Sequence, residues 1–293
     1  MLFQLAAQNQ QFQKAIEYGK TATEQAGAAP NDFLIMSQLY YQEKDCKNAG
    51  AWGDKAVSAY KKAGESPKEV LFQIKLQCAS DAQDNAGMLS ALYDLVRLTN
   101  KATYWNNLIR IERQEERDDH NLLMIYRVMF DVNAMTVDSD YIEMAQLLGD
   151  AGLPAEAALV LDRANTTGVM KDEHKERTAR LLNSLKTRAD ADRKSIAQQD
   201  AEAQKNPAGE LAVKVGEAHF GLGDYGPAVT SITAGLQKGQ VKHMDEAYVY
   251  LGRAQVAQKN TADAKKAFSQ LKGIPNLSPR VLKLWELYSD KLS

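Results

Sequence analysis

The stretch G-L-G-D-Y-G-P-A-V, Gly221 to Val229, decides the fold. Gly221, Gly223 and Gly226 satisfy G-x-G-x-x-G, the spacing that cradles a dinucleotide's pyrophosphate when a strand enters the loop and a helix leaves it. Upstream, in E-L-A-V-K-V-G-E-A-H-F, Leu211, Val215, Ala218 and Leu222 recur at steps of three and four, the period of a helix. No strand feeds the loop. Pro227 follows Gly226 directly, and proline is favoured in the first turn of a new helix, where its missing N–H is not needed. The segment therefore reads helix, turn, helix, with Gly223 ending the first helix and Tyr225 opening the second. The cofactor reading is set aside, and no cofactor is expected.

Working outward, the same unit recurs. A step of 34 aligns Ala15 with Ala49, Tyr18 with Trp52, Gly19 with Gly53 and Ala22 with Ala56; a step of 36 aligns Gly216 with Gly252, Ala218 with Ala254 and Ala228 with Ala264. Two helices in about 34 residues is the tetratricopeptide period. Small residues at Ser37, Gly216, Gly252, Ala49, Ala228 and Ala264 let paired helices approach, while Met36, Tyr40, Val215, Leu251 and Phe268 fill the space beside them. A glycine within a helix costs about 1 kcal/mol relative to alanine. Close helix contact supplies the reason for Gly216 and Gly252.

With only 7 prolines and almost no alternating strand pattern, the chain is all-α. Helical pairs are predicted at about 1–27, 31–64, 68–99, 103–135 and 139–167. A long polar helix follows at 172–205, then pairs at 208–238 and 245–272. A last helix opens with Ser278 as N-cap and Pro279 as its first residue, and should cap the array. This divides the chain into N-terminal repeats (1–168), a connecting helical segment (169–206) and C-terminal repeats with the capping helix (207–293).

Charge and composition exclude several functions. The 36 Lys plus Arg against 38 Asp plus Glu leave a net charge of −2 and no basic tract, so a nucleic-acid partner is not expected. No apolar run reaches the roughly 20 residues that cross a bilayer, and Met1 to Pro30 lacks the pattern of an export signal. His120, His174, His219 and His243 lie far apart with no H-x-x-x-H pair, so no metal site is expected. No G-x-S-x-G elbow or carboxylate–histidine pattern implies catalysis, and the chain reads as a non-enzyme. Cys46, at the start of one unit's second helix, and Cys78, late in the first helix of the next, belong near the same edge of the stack. They are either bonded or two buried thiols.

The pattern resembles tetratricopeptide repeat proteins, most strongly over Ala208 to Pro275 and Asn31 to Gly64; Met144, Ala145, Leu148, Ala157, Leu161 and Ala164 also fit. Glu112 stands where that family usually has an aromatic. The resemblance implies a right-handed α-solenoid that binds a protein or peptide in the groove lined by first helices. By register the residues projecting there are Gln38, Tyr41, Arg110, Arg113, Gln146, Glu217, Phe220 and Arg253. The alternative is an assembly factor or a cytosolic chaperone adaptor with a carboxylate clamp, but Leu34 and Gln38 stand where the clamp would need Lys and Asn.

The runs T-Y-W-N-N-L-I-R-I (103–111), D-Y-I-E-M-A-Q-L-L-G-D-A-G-L-P-A-E-A (140–157) and V-G-E-A-H-F-G-L-G-D-Y-G-P-A-V (215–229) resemble a group of proteobacterial envelope tetratricopeptide proteins, some of which accompany TonB and ExbB/ExbD systems. That likeness implies a periplasmic location, an envelope partner and a Cys46–Cys78 bridge. Met1 falls inside the first helix of a repeat, so the chain is expected to lack its export signal and early repeats.

Overall fold

The computed structural model describes residues 2–24 and 27–293. Met1, the expected start of the first pair, lies outside the described residues. Among those described there is no strand. The helices are α1 (Leu2–Gln8), α2 (Phe12–Glu24), α3 (Pro30–Gln42), α4 (Cys46–Lys62), α5 (Glu69–Asp81), α6 (Asn85–Thr99), α7 (Ala102–Gln114), α8 (Asp119–Asp131), α9 (Asp138–Asp150) and α10 (Pro154–Thr167). There follow α11 (Asp172–Lys205), α12 (Glu210–Gly221), α13 (Tyr225–Lys238), α14 (Met244–Ala257), α15 (Thr261–Ser269), a short 3-10 turn and α16 (Pro279–Lys291). Helices α1 and α2, α3 and α4, α5 and α6, α9 and α10, α12 and α13, and α14 and α15 pack in pairs, which makes this an all-α solenoid of tetratricopeptide-like units.

One turn recurs within the pairs. At Gly221 to Gly226 the Gly223 N–H donates to the Phe220 carbonyl (3.0 Å) and the Asp224 N–H to that of His219 (2.9 Å). The same two bonds close the turns at Lys44 and Asp45, Gln83 and Asp84, and Lys259 and Asn260. In each, the residue after the helix adopts positive φ: +83° at Gly223, but also 60° at Lys44, 54° at Gln83 and 63° at Lys259. Gly223, like Gly152 in the turn between α9 and α10, suits a left-handed position that Lys44, Gln83 and Lys259 fill at some cost. An aspartate follows in three of the four, and at Asp45 and Asp84 its carboxylate accepts an N–H of the next helix. Gly221 has a packing role: a Cβ there would sit 2.9 Å from the Glu156 backbone nitrogen. The nucleotide-like spacing is a repeat turn beside a close helix contact.

The chain divides into two compact units, Met1–Glu112 and Arg113–Ser293. The expected divisions at 168/169 and 206/207 do not coincide with this boundary, and α11 does not separate two blocks. It buries Leu182, Leu185, Ala189 and Ala203 and packs along α10 and α12, inside the second unit.

In the first unit Met36, Leu39, Tyr40 and Ile74 pack with Ala15 and Ala49, and Leu34 and Leu71 enclose Ala56 and Tyr60. Ser37 donates to the Ala49 carbonyl at 2.8 Å across α3 and α4. Glu112, at the usually aromatic site, is buried and accepts from Tyr93 Oη at 2.8 Å. Cys46 and Cys78 are joined by a disulfide, with their Cα atoms 5.6 Å apart, linking α4 to α5.

In the second unit α16 packs on α15, with Trp285 stacked on Phe268 at 5.1 Å, and also on α8. The last helix therefore covers more than the end of the array: it joins α15 to a helix of a repeat far earlier in the sequence.

Candidate functional site

The repeat turn fixes a register, and one position in it decides what each first helix offers. Counting back from the left-handed turn residue, Gln38 of α3, Gln77 of α5 and Glu217 of α12 are equivalent, and Arg253 of α14 shares the position. In the first unit this position stays accessible: Gln38 is half-buried and Gln77 exposed. Arg110 of α7, aligned with them by the packing pattern, is half-buried. Tyr41, one turn beyond Gln38, is also half-buried and leans on the cluster around Met36. Beside this row Gln73 Nε2 donates to Tyr104 Oη at 2.8 Å, and Lys101 pairs with Glu69 at 2.7 Å, so α5 and α7 present a linked polar surface.

In the second unit the same register turns inward on α12 and α14. Gln146 of α9 is half-buried, but Glu217, Phe220 and Arg253, expected to project, are 2%, 6% and 4% exposed. The reason is that α14 meets α8 and the start of α10. Arg253 forks onto Asp131 at 2.8 and 3.0 Å and pairs with Glu156. Arg127, fully buried in α8, donates to Glu246 at 2.9 Å and to Tyr250, which in turn donates to Glu156. Phe220 lies edge-on to Tyr250 at 5.1 Å, under the Arg253 guanidinium at 4.6 Å. Arg113, also expected to project, has its guanidinium on the buried Asp140 at 2.7 Å and on Tyr126. It is a packing and pairing residue.

Lys214 reaches Glu217 at 2.8 Å from the edge of this network. A cavity of about 160 Å³ opens there, walled by Glu156, Lys214, Glu217, Asp192 and Gln199. Burial pushes the Glu217 carboxyl up to about 7, with the Glu246 charge adding to the rise and Lys214 opposing it. Burial also opposes ionisation of Glu246 and Glu156, yet the guanidiniums hold both carboxyls below their ordinary value, Arg127 leading for the first and Arg253 for the second. Chemically the arrangement is an internal ion network joining α8, α10, α12 and α14, with one carboxyl, that of Glu217, near its titration point at neutral pH. His120, His243 and Asp245 converge at the start of α14.

Sequence reasoning missed Arg127, Asp131, Glu156, Glu246 and Tyr250. The signal for Arg127 was an arginine set within L-L-M-I-Y-R-V-M-F, Leu122 to Phe130, an otherwise apolar run that no solvent-facing residue would interrupt in this way. The others carry no local mark.

No family model and no curated protein matches the chain. Solved structures do. A tetratricopeptide repeat protein of Parabacteroides merdae is similar at 13% identity and a TM-score of 0.36, over 89% of this chain and 99% of that one. The C-terminal part of a repeat-containing protein of Cytophaga hutchinsonii aligns at 11% identity and 0.33, over 97% and 98%. The TPR2AB domain of yeast Sti1, in complex with an Hsp90 peptide, aligns at 12% and 0.30, over 90% and 99%. The helical pairs, their common turn and their register, all read from this chain itself, define an α-solenoid of tetratricopeptide type.

Proposed function

We propose that the chain is a non-enzymatic scaffold that binds a protein or peptide across the first helices of its N-terminal unit, in the bacterial periplasm. The observation that carries this reading is the accessible register position repeated on successive helices: Gln38, Gln77 and Arg110, with Tyr41 beside them. Polar side chains at a regular spacing along stacked helices suit an extended ligand, and an aromatic and an arginine supply its anchors. The location is supported by the Cys46–Cys78 bridge, since disulfides persist in oxidising compartments. The partner we propose to test first is an envelope protein, a component of a TonB-type system among them. The chaperone-adaptor alternative has less support, because Leu34, at a clamp position, is buried against Ala56 and Leu71.

The test is site-specific photo-crosslinking in cells from positions 38, 77 and 110, with position 194 on α11 as the control. A partner crosslinked from the first three and not from the fourth, whose affinity then falls about tenfold in Tyr41→Ala or Arg110→Ala, is the expected result. Crosslinks confined to position 194, or binding unchanged in both variants, would reject the groove.

A further inference from the structure

Between α8 and the start of α14, in the second unit, three side chains beside the ion network converge. His120 Nε2 lies 2.7 Å from Asp245 Oδ2. The His243 ring stands over that of His120, centroids 4.6 Å apart. One ligand atom from each of the three lies within 4.8 Å of the others. Residues 120 and 243 are separated by most of the second unit's sequence, which is why no spacing motif announces the cluster.

We propose that His120, His243 and Asp245 form a binding site for a divalent transition metal, with zinc the best fit. Two imidazoles and one carboxylate are the mixed nitrogen and oxygen set that zinc takes when a fourth position is left open. Tetrahedral coordination at about 2.0–2.2 Å needs ligand atoms about 3.3–3.5 Å apart. The three residues meet it by small movements: His120 and Asp245 separate from hydrogen-bond contact as the metal replaces the shared proton, and His243 draws in. The fourth position faces a cleft of about 480 Å³ lined by Asn121, Lys242 and Pro275, which admits water.

The electrostatics are balanced. The amino-terminal end of α14 and Lys242, which lines the cleft, oppose a cation, but Asp245 supplies a formal charge within the site, Asp118 lines the same cleft, and Glu246 follows Asp245 in the chain. All three residues are at least partly shielded from solvent.

The experiment is calorimetric titration of tag-free, chelator-treated protein with zinc chloride, paired with the visible spectrum of the Co2+-loaded protein. Expected are one saturable zinc site, tetrahedral Co2+ bands, and at least tenfold weaker binding in His120→Ala and in His243→Ala. The His174→Ala/His219→Ala variant should bind as the wild type does. His243→Ala is the decisive variant, because its loss leaves the His120–Asp245 hydrogen bond in place and the fold can be checked by circular dichroism. No saturable zinc binding by the wild type, or wild-type affinity in folded His243→Ala, would overturn the proposal.

Discussion

The two units are built from the same kind of helical pair and the same turn, yet the equivalent register position stays accessible along the first and is closed off on α12 and α14 of the second. Along the first unit it carries Gln38 and Gln77, in contact with water; in the second Gln146 stays half-buried, whereas Glu217 and Arg253 are removed from water and committed to ions on α8, α10 and the Lys214 edge. Local sequence sets which residues lie on the inner face. Whether that face is open depends on which distant helix comes to meet it.

The largest expected effect breaks the comparison at its centre. Arg253→Ala strands Asp131 and weakens the hold on Glu156, so it should destabilise the second unit by about 3–5 kcal/mol, whereas Gln38→Ala should change stability by no more than about 0.5 kcal/mol. Urea unfolding of both variants measures this; equal losses would mean that the two positions are not differently used. Next is the bridge, which has no counterpart in the second unit. The Cys46→Ser/Cys78→Ser variant should lose about 2–4 kcal/mol from the first unit, and denatured, unreduced wild-type protein should titrate with no free thiol. Two reactive thiols would remove the bridge from the account.

A pH effect comes third. Folded Glu217 keeps its proton up to about pH 7, while an unperturbed glutamate releases it near 4.5. Raising the pH between these values therefore costs the folded state stability, at most about 3 kcal/mol, and above pH 7 the loss is complete. Glu217→Gln should remove that decline from the stability profile; parallel profiles for variant and wild type would show that Glu217 ionises freely. The smallest effect tests the shared turn. Lys44→Gly should stabilise the first unit and Gly223→Lys destabilise the second, each by about 1 kcal/mol. Failure of the pair to show opposite signs would separate two turns that the hydrogen bonds make equivalent.

What was legible in the sequence was everything governed by short range. The limits of α11 at Asp172 and Lys205 and the opening of α16 at Ser278 and Pro279 follow from composition and capping, and the turn at Gly223 follows from periodicity on both sides. The inward closure of the second unit was not legible. Arg253 and Asp131 are 122 positions apart, and Arg127 and Glu246 are 119 apart. Nothing in the period of α14 distinguishes an arginine meeting water from one meeting α8. Register expected Glu217, Phe220 and Arg253 to project into a groove and said nothing of the helices that bury them.

The ion network has a consequence for how the molecule comes apart. A stacked repeat array ordinarily melts from its ends, each terminal unit leaving while its neighbours persist. In the second unit α14 cannot leave alone, because withdrawing Glu246, Tyr250 and Arg253 strips Arg127 and Glu156 of their hydrogen bonds to it and leaves each with only the other, 3.7 Å away, in helices that come much earlier in the chain. Amide protons of α8, α14 and α16 should therefore exchange with solvent as one cooperative block, the last repeats being as slow as the first.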